Sequence, residues 1–271
     1  MPIRILRQIS LVALFAVSGL PVVAEPSSGA YLAARSAAVT GDYDAAARYY
    51  TQALARDPSN PDILENASFA LLALGDVDRA AVVASKLLAD GHGSQVAQMA
   101  LIAQQAKDEN YADVLARILE ENGVGPLVDG LLRSWAQVGI GEVTTALESF
   151  DAVGEERGLQ GFALYHKALA LSLVGDFEGA DKIFAMPEAG ALRQTRRGAI
   201  AHIEVLSQLG RTEDALKTLD QSFGTDLDPK LQTLRAGLVA GEKLPFSQVQ
   251  GARDGMAEVF FSVASALRNE A

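Results

Sequence analysis

Few residues in this chain have side chains that could do chemistry. Histidine changes charge near neutral pH and offers ring nitrogens to a metal, and there are three: His92, His166 and His202. His166 and His202 fall at near-equivalent places in successive helical segments, with Glu204 close to the second. A stack of such segments would bring the two rings within reach of each other. A zinc site needs three or four nitrogen, sulfur or oxygen ligands, but the chain has no Cys and shows no third ligand, so the histidines read as helix residues rather than a metal set. The carboxylates Asp42, Asp44, Asp62, Asp76 and Asp78 stand at turns and helix starts, where free backbone N–H groups favour an acceptor. Their spacing is not that of a calcium loop. The glycines precede Asp or Glu with no Lys-Ser/Thr following, so no phosphate loop is present, and the nucleophile elbow is also missing. The expectation is a protein that is not an enzyme and has no cofactor and no metal.

The elements carrying these residues recur. Gly41-Asp42-Tyr43-Asp44-Ala45-Ala46 is a tight turn into an amphipathic helix, closed by Asp57-Pro58. The turn returns at Gly75-Asp76, Gly141-Glu142, Gly175-Asp176 and Gly210-Arg211, at intervals of 34, 66, 34 and 35 residues. Glu109-Asn110-Tyr111-Ala112 occupies the skipped position inside the interval of 66. Such a period is the signature of stacked helix pairs. The pattern predicts an all-α chain: a right-handed α-solenoid of stacked antiparallel helix pairs with about six units over 30–223. Within the units, Ala46, Tyr50 and Ala53 form one stripe, matched by Ala80, Ala84 and Leu87 one repeat later. Residues 224–271 read as C-terminal helices, an incomplete further repeat. The last of these, amphipathic through Val259, Phe260, Val263, Ala264 and Leu267, looks like the first member of a pair without its second. Two readings of that end are a longer natural chain and a partner docked on the helix.

The N-terminus differs in composition. Arg4 and Arg7, an apolar run from Ile9 to Val17 and a small-residue exit ending at Ala24 predict a signal peptide over 1–24, followed by a linker over 25–29. The expected location is therefore the periplasm, with a mature form that does not span the membrane. Without Cys there is neither a lipid anchor at the cleavage site nor a disulfide. Losing Arg4 and Arg7 takes the net charge from −11 to −13, the wrong sign for nucleic acid or anionic lipid.

The repeated turn, the small residue five positions after its Gly, the ring or large apolar residue four after that, the small residue three further and the closing Pro resemble the tetratricopeptide repeat. Gly41, Tyr43, Ala46, Tyr50, Ala53 and Pro58 carry the likeness most fully, with Gly75, Ala80, Gly175, Phe177, Ala180, Phe184, Gly210, Ala215 and Leu219 continuing it. The resemblance implies a superhelix whose concave surface, lined by the first helix of each pair, binds a protein or peptide partner. On that mapping the groove candidates are Tyr31, Arg35, Glu65, Phe69, Met99, Phe162, Tyr165, Leu169, Ile200 and Glu204. Phe69, Phe162 and Tyr165 would together line an apolar groove. The implied function is a periplasmic scaffold or adaptor; the alternative is an assembly module of a larger envelope system for polysaccharide export or outer-membrane assembly.

Overall fold

The structure, a computed structural model, describes residues 26–119, 123–189 and 195–270; the expected signal peptide over 1–24 lies outside them. Among these residues there are fourteen α-helices and no strand. They are α1 (Pro26–Val39), α2 (Tyr43–Leu54), α3 (Pro61–Ala73), α4 (Val77–Ala89), α5 (Gln95–Lys107), α6 (Tyr111–Leu119) and α7 (Pro126–Gly139). Then follow α8 (Val143–Glu155), α9 (Gln160–Leu173), α10 (Phe177–Phe184), α11 (Arg196–Gln208), α12 (Thr212–Phe223), α13 (Pro229–Val239) and α14 (Ala252–Glu270). The first turn of α1 takes up residues 26–29, which the sequence reading placed in a linker.

Each odd-numbered helix up to α11 packs against the helix after it, and each pair packs on the next, giving an α-solenoid of stacked helix pairs. The turn inside each pair explains the Gly-Asp signal. After α1, α3, α7, α9 and α11 a residue with φ between +74° and +86° lets the following N–H reach back to a carbonyl five residues earlier, as Asp42 does to Ala37 at 2.9 Å and Asp176 to Leu171 at 2.9 Å. Glycine enters that left-handed region without steric penalty. Glu109 enters it at φ 58° with the same bond, Asn110 to Gln105 at 2.8 Å, so the unit without its glycine still makes the turn. The Asp that follows caps the second helix: Asp42 accepts from the Ala45 N–H at 3.0 Å and Asp176 from the Gly179 N–H at 2.8 Å.

The position five after the turn residue is Ala46, Ala80, Val114, Ala146, Ala180 and Ala215, and all six are fully buried. Small side chains there let the two helices of a pair approach closely. Four positions on, Tyr50, Ile118, Phe150, Phe184 and Leu219 fill the space between pairs, whereas Ala84 leaves a smaller group in the second unit. Buried apolar side chains form three clusters: one over α1–α5, one running from α5 to α11 and including Met256 and Val259, and one over α11–α13.

One element departs from the stacking order. Helix α14 does not pair with α13; it lies on α7, with further contacts to α9 and α5. The chain between α13 and α14 has no helix or strand over residues 242–250 and runs back along α11.

Candidate functional site

The first-helix face is thereby divided into two regions. Over α1, α3 and α5 it is open. Tyr31 is half-buried, its ring edge-on to Tyr50 with centroids 6.4 Å apart, and the Arg35 guanidinium sits 5.9 Å from the Tyr31 ring centre. Phe69 is 44% exposed, and its ring meets Tyr43 edge-to-face at 5.8 Å. Glu65 accepts from the Ser94 hydroxyl at 2.6 Å, and Met99 is half-buried. These three helices thus carry aromatic rings, a guanidinium and a carboxylate.

Over α7, α9 and α11 the same face is covered. Trp135 is fully buried between Phe150 and α14, with its ring against Gly255, where any Cβ would come within 2.2 Å of the indole. The indole N–H can only donate, and it donates to His166 Nδ1 at 3.0 Å. Nδ1 is therefore the unprotonated nitrogen, and the Nε2–H donates to Ser262 Oγ at 3.1 Å. The Ser262 hydroxyl donates in turn to the Val259 carbonyl at 3.0 Å. The four groups form one directional chain from α7 through α9 into α14, and it accommodates only neutral histidine. Burial acts in the same direction, with the His166 pKa pushed down to about 3.

Beside this chain, Tyr165 donates to Glu258 Oε1 at 2.8 Å while Arg197 Nε donates to Glu258 Oε2 at 2.6 Å. Arg197 also reaches the Gln248 carbonyl at 3.1 Å, and its guanidinium lies 5.4 Å from the Phe261 ring centre. Burial raises the Glu258 pKa against the opposing pull of Tyr165 and Arg197; burial and the neighbouring Glu258 charge push the Tyr165 hydroxyl up. The connector is pinned in the same way. Glu204 accepts from the Ser247 N–H at 2.8 Å and hydroxyl at 2.6 Å, burial raising its pKa, and Ser207 accepts from the Leu244 N–H at 2.9 Å. Between α11, α13 and this connector a cleft of about 650 Å³ opens, lined by Glu204, Lys230, Leu234, Gly237, Leu244 and Pro245.

The groove candidates therefore sort into different environments. Tyr31 and Arg35 on α1, Glu65 and Phe69 on α3 and Met99 on α5 are half-buried or exposed. Tyr165 lies under α14, Glu204 under the connector, and Phe162 is half-buried against the central core. Leu169 and Ile200 are core side chains at 0% and 3% exposure, and Tyr165, buried at 2%, does not line an open groove with Phe69 and Phe162. The two histidines go to separate partners: His202 stacks on Phe184 at 5.1 Å and meets Asp181 at 3.1 Å. Among the described residues no group of three His, Asp or Glu side chains is placed to hold a metal ion, and no helix is long and apolar enough to cross a membrane.

Sequence reasoning missed Arg197, Ser247, Gln248, Gly255, Glu258 and Ser262. The available signal was in α14, where Gly255, Val259 and Ser262 form a stripe of small and apolar residues on one helix face.

A sequence family described as tetratricopeptide repeat matches residues 40–104. No curated protein sequence matches the chain. Among solved structures, that of Naa15/Naa10 bound to HypK-THB is similar at 15% identity, covering 89% of this chain and 36% of its own, with a TM-score of 0.36.

Proposed function

We propose that this chain is a non-enzymatic interaction scaffold that holds a protein or peptide partner on the open first-helix face of α1, α3 and α5, and that it works in the periplasm after export. The observation that supports it is the half-exposed aromatic and cationic surface at Tyr31, Arg35 and Phe69, within and next to the segment that matches a tetratricopeptide repeat. Apolar rings that a monomer leaves open beside a guanidinium are the groups that anchor partner side chains. The repeats supply rigidity and the exposed first-helix residues supply selectivity.

The test is capture from periplasmic extract by the tagged mature chain, compared with a Tyr31→Ala/Phe69→Ala chain whose helical circular dichroism is unchanged. A protein retained by the first and lost from the second supports the reading. Equal recovery of every captured protein by both chains would remove the open face as the binding surface.

A further inference from the structure

We propose that a cleft between α6, α7 and α8 binds a free amino acid with an apolar side chain, Arg133 holding its carboxylate and Glu156 its ammonium group. This inference goes beyond the scaffold reading and does not rest on the face over α1, α3 and α5 binding anything.

The cleft has a volume of about 420 Å³ and is lined by Ile118 of α6, Asp129 and Arg133 of α7, Ser149 and Val153 of α8, and Glu156 just after α8. That volume suits a small ligand. The Nε of Arg133 is buried and has no hydrogen-bond partner among the described residues. A buried donor on a charged group is costly to leave unmet. Asp129, four positions earlier on the same helix, has the spacing of an ion-pair partner. Its two oxygens are turned elsewhere, accepting from the Val124 N–H at 2.7 Å and the Gly125 N–H at 3.1 Å. Glu156, exposed at the other side of the cleft, forms no ion pair among the described residues, although it lines the same space as Arg133.

The cleft therefore holds a guanidinium and a carboxylate apart from each other. A ligand with one anionic and one cationic end meets both and adds no net charge. A carboxylate matches the planar fork of a guanidinium, whereas a polyanion such as phosphate would face the Asp129 and Glu156 charges in a chain that already carries −11. Between the two charges the wall is apolar, with Ile118, Pro126, Ala152 and Val153. Gly130 brings Val153 close, since any Cβ there would come within 2.6 Å of the Val153 side chain. Arg133 stands two residues before Trp135, and so on the opposite side of α7 from the seat of α14.

The experiment is isothermal titration calorimetry of the full chain with L-alanine, L-valine and L-leucine as separate probes. Isobutyrate and isobutylamine, which each carry one of the two charges, are titrated beside them. At least one amino acid is expected to bind saturably, and both single-charge compounds at least about tenfold more weakly. Arg133→Met and Glu156→Gln should each weaken the amino acid by at least about tenfold, and Glu156→Gln should leave isobutyrate binding as it is in the wild type. No saturable binding of any of the three amino acids at millimolar concentration would mean that the Arg133 Nε meets water only, and would overturn the proposal. Isobutyrate binding as tightly as the amino acids, or full affinity in a folded Arg133→Met chain, would overturn it as well. Should Arg133→Met lose its helical circular dichroism, Glu156→Gln and the two single-charge compounds decide, because Glu156 is an exposed residue beyond the end of α8.

Discussion

Acidification from pH 7 to 5.5 should loosen the central part of this protein through one side chain. His166 is fully buried, its Nδ1 takes the Trp135 N–H, and its pKa is pushed down to about 3. In the unfolded chain the same ring takes up a proton near the usual value of about 6.5. The folded-state pKa of this base is depressed, so between these values the unfolded state binds the extra proton and stability falls as pH falls, by about 1.4 kcal/mol per unit. At pH 5.5 the loss is about 1.4 kcal/mol, and at pH 5 about 2 kcal/mol. Glu258 on α14 and Arg197 on α11 are joined to Tyr165, whose ring lies edge-on to His166. Glu258 and Glu204 act in the opposite sense, since burial raises their pKa values and the folded state holds their protons to higher pH. They oppose the histidine as pH falls, and because both chains carry them they drop out of the comparison with His166→Gln. The assay is urea unfolding followed by the emission of Trp135, the sole tryptophan, for wild type and His166→Gln. Any constant loss from the substitution drops out, because the reading is the slope. Wild type should lose about 1.4 kcal/mol more than the variant over this range. Parallel curves would refute the assignment of a buried neutral histidine.

Three other outcomes follow from particular contacts. Gly255→Ala should shift Trp135 emission to longer wavelength and lower the urea midpoint reported by Trp135, with a loss of about 1–3 kcal/mol, because its Cβ cannot share space with the indole. Glu109→Gly should raise the thermal midpoint followed by circular dichroism, because about 1 kcal/mol of left-handed strain is relieved. Tyr50→Ala should lower stability by about 3–5 kcal/mol in chemical unfolding, since its ring fills the space between the first two pairs while Tyr31 packs on its edge.

The repeat was legible because its determinants are local. A left-handed glycine, an Asp cap and an alanine that lets two helices touch all act within one turn of chain, so each unit repeats the same signal in its own residues. Even the unit at Glu109 kept its register through Val114 and Ile118. The covered half of the first-helix face was not legible in the same way. Glu258 meets Tyr165 across 93 positions, and Ser262 meets His166 across 96, so no window of sequence contains both partners. Tyr165 and Glu204 were picked out as groove residues because they occupy first-helix positions, which is correct as to element. What covers Tyr165 came from α14, whose pattern showed Val259 and Phe260, both packed on the central core, but not Gly255, Glu258 and Ser262, which meet Trp135, Tyr165 and His166.

The placement of α14 also bears on how the chain acquires its structure. In a stack of helix pairs every contact is with a neighbour, so folding can begin anywhere and spread, and the ends can fray one unit at a time. Seating α14 on α7 and α9 closes a loop of roughly a hundred residues, an ordering cost that is met only when α9 and α11 are already in place. The middle of the array should then open and close as one cooperative block, while α1–α4, whose buried side chains form a separate cluster with the N-terminal half of α5, retain the freedom to unravel alone. The N-terminal pairs behave as a spring attached to a latched body, and the latch is α14.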